Sequence, residues 1–179
     1  MLRITIASLA VVAFVQQAPK PPQVEYDAKR DVTTYSTGDV QTQGHSGYGA
    51  RFEFPGKTLS APAVISIGFG ALRLTHGAGP DQYQALLHWN DVKTVSLAFG
   101  GATHDYPATH AYSVSKNKQV LMFLGHALEE SLSISLTSPQ FRDIAAADTV
   151  QVQLGKDTQI LKGKSLAPIK KLAACIPAS

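Results

Sequence analysis

Apolar and polar residues alternate with a period of two along much of the chain. Such alternation marks strands with one buried and one wet face. Leu132, Ile134 and Leu136 alternate with Ser131, Ser133 and Ser135; Val150, Val152 and Leu154 alternate with Gln151 and Gln153. A Gly155-Lys156 turn after the latter leads to Thr158–Leu161, which predicts a hairpin. Val32–Thr37 is rich in β-branched and aromatic types, and Arg51–Phe54 runs into a Pro55-Gly56 turn. Ala63–Phe69 and Ala71–Thr75 read as two strands, the second ended by Gly77-Ala78-Gly79-Pro80-Asp81. Gln82–Trp89 and Val92–Phe99 flank Asn90-Asp91, and Tyr112–Ser115 and Val120–Leu124 flank Lys116-Asn117-Lys118; both spacings predict hairpin turns.

A period nearer 3.6 appears only towards the C-terminus. Ser138-Pro139 has the form of an N-cap followed by proline at the first helical position. Phe141, Ile144 and Ala145 then share a face of a short helix reaching about Ala147. Ser165 is expected to cap a last helix whose inner face carries Ile169, Leu172 and Ala173. The pattern predicts a mainly β protein, an antiparallel β-sandwich-like domain with a short helix before the last hairpin and a C-terminal helix.

The N-terminus departs from this rhythm. Arg3 precedes an apolar run from Ile4 to Val15, too short for a membrane span and suited to the h-region of a secretory signal. Pro19, Pro21 and Pro22 then bar a regular element. The expected organisation is a signal peptide over 1–18, a linker over 19–25 and a single β-rich domain over 26–179. That places the protein in the periplasm or outside the cell, with no transmembrane segment after signal cleavage.

Composition agrees with a globular extracytoplasmic protein. The chain has 179 residues, 44% hydrophobic and 16% charged, with a net charge of +3. The charged share is below the usual quarter, and one cysteine, Cys175, excludes an internal disulfide and a cysteine-built zinc site. Lys156, Lys162, Lys164, Lys170 and Lys171 against Asp157 concentrate charge in the last quarter. A solvated helix face is the first reading, and a basic patch that meets anionic lipid, glycan or nucleic acid is the alternative. No aromatic residue interleaves with these lysines, so nucleic acid is not an expected partner.

Two stretches carry a resemblance. YDAKRDVTTYST, from Tyr26 to Thr37, and FRDIAAADTVQVQLGKDTQILKGKSLAPIKKL, from Phe141 to Leu172, cover about a quarter of the chain. Their strand-opening Tyr-Asp-x-x-x-Asp-Val-Thr-Thr and closing Ile-Ala-x-Ala-x-x-Val-x-x-x-Leu-Gly patterns resemble uncharacterised bacterial exported β-rich domains of unknown function. The resemblance implies a shared β-rich fold and carries no activity and no site residue.

No local motif names a chemistry. Six histidines, His45, His76, His88, His104, His110 and His126, lack the spacing of a metal site, and neither metal nor cofactor is expected. Gly44-His45-Ser46-Gly47 has Tyr48 where a nucleophile elbow needs glycine. Gly163-Lys164-Ser165 lacks the earlier glycine of a phosphate loop, and Gly68-Phe69-Gly70 has Arg73 where a dinucleotide loop needs its third glycine. Adjacent Glu129 and Glu130 would point to opposite faces of a strand, so they do not form a glycosidase pair. Trp89, Tyr83, Tyr106 and Tyr112 read as core or cross-strand packing rather than a sugar platform.

Three functions stay open on this reading. The first is a non-enzymatic binding module of the periplasm or cell surface, its partner an envelope protein or a glycan. The second is a hydrolase-type enzyme with a dispersed site drawing on His88, His104, Asp105 and His110. The third is a cell-envelope structural component packed through strand edges.

Overall fold

The computed structural model describes residues 20–42, 46–58, 64–75, 82–120 and 123–177. The expected signal peptide, His45 and His76 lie outside the described residues. Among the described residues, ten antiparallel strands form the body: β1 (Gln23–Asp27), β2 (Val32–Ser36), β3 (Val40–Gln41), β4 (Ser46–Pro55), β5 (Val64–Thr75), β6 (Thr94–Phe99), β7 (Ala102–Val120), β8 (Phe123–Leu136), β9 (Thr149–Leu154) and β10 (Asp157–Lys162). Helix α1 (Ser138–Ala146) lies between β8 and β9, and α2 (Ala167–Ala173) follows β10. β1 takes in the last residues of the expected linker.

Hydrogen-bonded order runs β1-β2-β4-β5-β8-β7-β6-β9-β10, with β3 on β4. The long strand β7 serves both halves: Ala102–Pro107 pairs with β6, and Ala108 onwards pairs with β8. Pro107, which has no N–H to donate, stands at that change of partner. The inward residues of both halves fill one core. Tyr48, Ala50, Phe52 and Phe54 of β4 and Ile65, Ile67 and Phe69 of β5 join Val95 and Leu97 of β6 and Val150, Val152 and Leu154 of β9. The pairing path therefore folds over on itself at β7, giving a sandwich-like body. Phe141 and Ile144 of α1 and Ile169 and Leu172 of α2 complete the core.

The helix start predicted at Ser138 shifts by one residue. Thr137 is the cap: its hydroxyl accepts from the Gln140 N–H, and the Gln140 side chain accepts from the Thr137 N–H. This reciprocal box satisfies N–H groups that the first turn cannot. Thr137→Ala is expected to lower stability by about 1 kcal/mol; a denaturant titration by circular dichroism checks it. Ser165 does not cap α2. It closes a 3-10 turn over Gly163–Ser165 by accepting from the Lys162 N–H.

Three other expectations change. β5 is one continuous strand, because Gly70 stays paired with Gly47 on one side and Ser131 on the other. Gln82–Trp89 is not a strand but an irregular segment containing a 3-10 turn at Gln84–Leu86. Lys116-Asn117-Lys118 is no reversal: it lies within β7, beside a register shift between Ser115 and Lys118, and the pairing continues to Val120 opposite Phe123.

Candidate functional site

β8 buries Leu128, Glu130, Leu132 and Ile134 and turns Glu129, Ser131 and Ser133 outward. Glu129 and Glu130 do face opposite ways. Glu130 is 2% exposed, and a carboxylate held out of water needs compensating donors. It has four. Oε1 accepts from the Trp89 N–H at 2.7 Å and lies 3.0 Å from His110 Nε2. Oε2 accepts from Arg73 Nη1 at 2.7 Å and from the His88 N–H at 3.1 Å. An ionised carboxylate only accepts, so the His110 proton on this contact belongs on Nε2.

The strands explain the convergence. On β5, Ala71 is opposite Glu130 and Arg73 lies two residues further on; on β7, His110 is opposite Leu132. The 82–93 segment crosses above them. Its Trp89 ring is buried, and Trp89 Nε1 donates to Asp157 Oδ2 of β10 at 2.8 Å. Arg73 also donates to the Leu86 carbonyl at 3.3 Å. Burial alone would push the Glu130 carboxyl up. The Trp89 N–H, the Arg73 guanidinium, the His88 N–H and His110 outweigh it and hold the carboxyl below its usual 4.5. Glu130 is therefore a fixed anion at neutral pH, not a proton donor. A cleft of about 330 Å³ opens beside the cluster, lined by Ser46, Arg73, His88, Asp157 and Gln159 among others.

Of the four residues named for a dispersed enzyme site, two meet here. His110 touches the carboxylate through its ring, and His88 through its backbone. His104 and Asp105 do not join them, because they lie on the part of β7 that pairs with β6. His104 stacks on Phe99, with ring centroids 4.7 Å apart, and Asp105 accepts from Ser96 Oγ at 2.6 Å. His126 pairs with Thr75 by backbone register. Among the described residues no cluster of three His, Cys, Asp or Glu side chains could hold a metal ion. Trp89, Tyr83 and Tyr106 are buried, whereas Tyr112 is exposed, so they form no common platform.

A second concavity lies on the opposite, outward face of the sheet. It is a broad groove of about 760 Å³ across β4, β5, β8 and β7, bordered by Gly38–Gln41. Its floor is poor in side chains. Gly47 opposes Gly70 and Gly49 opposes Gly68, with Ser131, Ser133 and Ala111 beyond them. Gly47 is required by packing, since a Cβ there would meet the Val40 carbonyl oxygen at 2.7 Å. Gly68 and Gly70 are different. A Cβ at either would find its nearest neighbour at 3.9 Å, so neither is demanded by the fold. Glycine inside a strand is costly to order, and one use for it is to let a ligand reach the backbone. Arg51, Asp39, Leu72 and Glu129 stand around this floor.

No protein-family model matches the chain, and neither a curated protein nor a solved structure matches it significantly.

Proposed function

We propose that the protein is an exported binding module of the periplasm or cell surface, and that the outward groove is where it binds. One observation carries the reading: Gly68 and Gly70 keep the groove floor bare although nothing in the fold excludes a side chain there. The ligand suited to such a surface is extended and polar, a glycan chain or a segment of an envelope protein. It would lie across exposed backbone and serine hydroxyls, with Arg51 and Glu129 at the margins. Export rests on the N-terminal pattern of Arg3 followed by the apolar run. Mass spectrometry of the mature N-terminus tests export, and an intact Met1 on exported protein would reject it.

The groove is tested by filling it. Gly68→Thr and Gly70→Thr place β-formers at strand positions with room for them, so the melting temperature should hold or rise. Capture from cell-envelope extract, read by mass spectrometry of protein and glycan, is expected to give one saturable partner for the parent and none for the filled variants. A partner kept by the filled variants, or no saturable partner at all, rejects the reading.

A hydrolase-type enzyme is the alternative, favoured by the contact between His110 and Glu130. A carboxylate that orients an imidazole is part of a nucleophile-activating arrangement. Against it, Glu130 also holds two backbone N–H groups and Arg73, as a purely structural anion would. Substrate screening of parent and His110→Gln protein separates the two, since only an enzyme loses turnover.

A further inference from the structure

The inner face of the sandwich turns polar at one end. On β8, Ile134 and Leu132 lead in phase to Glu130, and on β5, Ile67 and Phe69 lead to Ala71 and Arg73. On β4, Ser46 is in phase with the buried Tyr48 and Ala50. From the other half, Asp157 and Gln159 of β10 are in phase with the buried Leu161. Strand period assigns all these positions to the core side, yet four strands carry polar side chains there. Departures from the binary pattern of this kind concentrate at functional sites.

Ligand sites of β proteins favour such mouths. Glu130 is not open to a ligand, because its two oxygens already serve four donors. The cleft of about 330 Å³ beside it is lined by Ser46, Arg73, His88, Asp157 and Gln159 among others. Gln159 is only 6% exposed. One end of its amide meets the Thr42 hydroxyl at 3.3 Å, and the other has no hydrogen-bond partner among the described residues. A buried amide end without a partner carries a desolvation cost that a ligand removes. Asp157 gives Oδ2 to the Trp89 ring N–H, and its Oδ1 has no partner among the described residues.

We propose that this mouth binds one neutral sugar ring through its hydroxyls. A hydroxyl both donates and accepts, and the cleft offers the two complements: acceptors in Asp157 Oδ1 and the His88 ring, donors in the Gln159 amide and the Arg73 guanidinium. Charge selects against an anion. The Arg73 guanidinium is already matched by Glu130 at 2.7 Å, so with Asp157 the three side chains carry a net negative charge. Size selects a single ring: 330 Å³ is the share of about eleven waters, close to the roughly twelve non-hydrogen atoms of a hexose. Trp89 is 1% exposed and offers no stacking face, so a dissociation constant of about 1 mM is expected. Arg73, His88, Asp157 and Gln159 do not line the outward groove, and either site can fail without the other.

The test is saturation-transfer NMR of the whole chain with glucose, galactose and mannose, with glucuronate and glycine as charged controls. At least one neutral hexose should give a saturable signal, and glucuronate should bind at least about tenfold more weakly. Asp157→Asn keeps an oxygen for the indole N–H and turns the open acceptor into a donor. Gln159→Met keeps the volume and removes the amide. Each should weaken hexose binding at least about tenfold and melt close to the parent. Asp157 is exposed, so its variant reads the site even if a change at the buried Gln159 alters the fold.

No saturable hexose signal at tens of millimolar overturns the proposal. So does hexose binding that Asp157→Asn and Gln159→Met both retain, or a signal from glycine or glucuronate stronger than that of any hexose. A hexose kept by both of those variants but lost in Gly68→Thr with Gly70→Thr would assign it to the outward groove instead.

Discussion

Glu130→Ala is expected to cost about 3–5 kcal/mol, the range seen when one partner of a buried ion pair is removed. For a domain of this size that is a fall of roughly 10 °C in melting temperature. Four donors lose their acceptor at once. Arg73 keeps a charge on a side chain only 23% exposed, and the N–H groups of His88 and Trp89 lose their partner beside the core. Glu130→Gln is not a mild replacement. Each carboxylate oxygen receives two donors, so either orientation of the amide turns its NH2 towards two of them. A loss of about 2–3 kcal/mol is expected for it, from two groups left unsatisfied.

The pH dependence follows from the lowered carboxyl. Its folded value lies below the usual 4.5, so the stabilisation is fully present above 4.5 and declines as pH falls through the folded value. Urea titrations of parent and Glu130→Gln protein should differ by a constant amount at neutral pH and converge in acid. A difference that stays constant down to strongly acid pH would mean that Glu130 is not the anion described.

The strand pattern was readable because burial on one face imposes alternation. β4, β8, β9 and β10 follow it, with Tyr48, Ala50, Phe52 and Phe54 inward in turn, while α1 follows the helical period through Phe141, Ile144 and Ala145. Where sequence pattern and structure differ, a local turn signal competes with long-range pairing. Gly70 looked like a strand break, but neighbours on both sides hold it in register. Lys116-Asn117-Lys118 has turn chemistry, yet β7 continues past it, with Lys118, Gln119 and Val120 opposite Gly125, Leu124 and Phe123 of β8.

The Glu130 cluster left a weaker trace. A glutamate in phase with Leu128, Leu132 and Ile134 is a charge on the buried side of a strand, and His110 in phase with Ala108 is a polar ring turned the same way. Those two anomalies were in the sequence. Their joint meaning was not, because it depends on register between three strands and on a segment that pairs with none. Gln82–Trp89 escapes strand pairing because its backbone N–H groups at His88 and Trp89 find a carboxylate instead. The distance along the chain from Trp89 to Glu130 hides that exchange.

Trp89→Ala is the companion experiment, with an expected cost of about 3–5 kcal/mol. The indole is 1% exposed and is the largest fully buried side chain, so its removal leaves a cavity in the single core shared by both halves. It also ties two parts together. The backbone N–H is held by Glu130 on β8, and the ring N–H by Asp157 on β10. Trp89→Phe separates the contributions. It keeps most of the apolar volume and loses the ring hydrogen bond, while Asp157, being exposed, regains water. A loss of about 1–2 kcal/mol is expected for it.

The double variant Glu130→Ala with Trp89→Ala decides whether the two act through the same segment. If each change frees the 82–93 crossing from β8, the second has less left to release. The combined loss should then fall short of the sum by about 0.5–3 kcal/mol. Strict additivity in urea titrations would show that the indole stabilises the core without regard to the carboxylate. The polar cluster would then be a clasp on the β8 side alone rather than half of a strut across the sandwich.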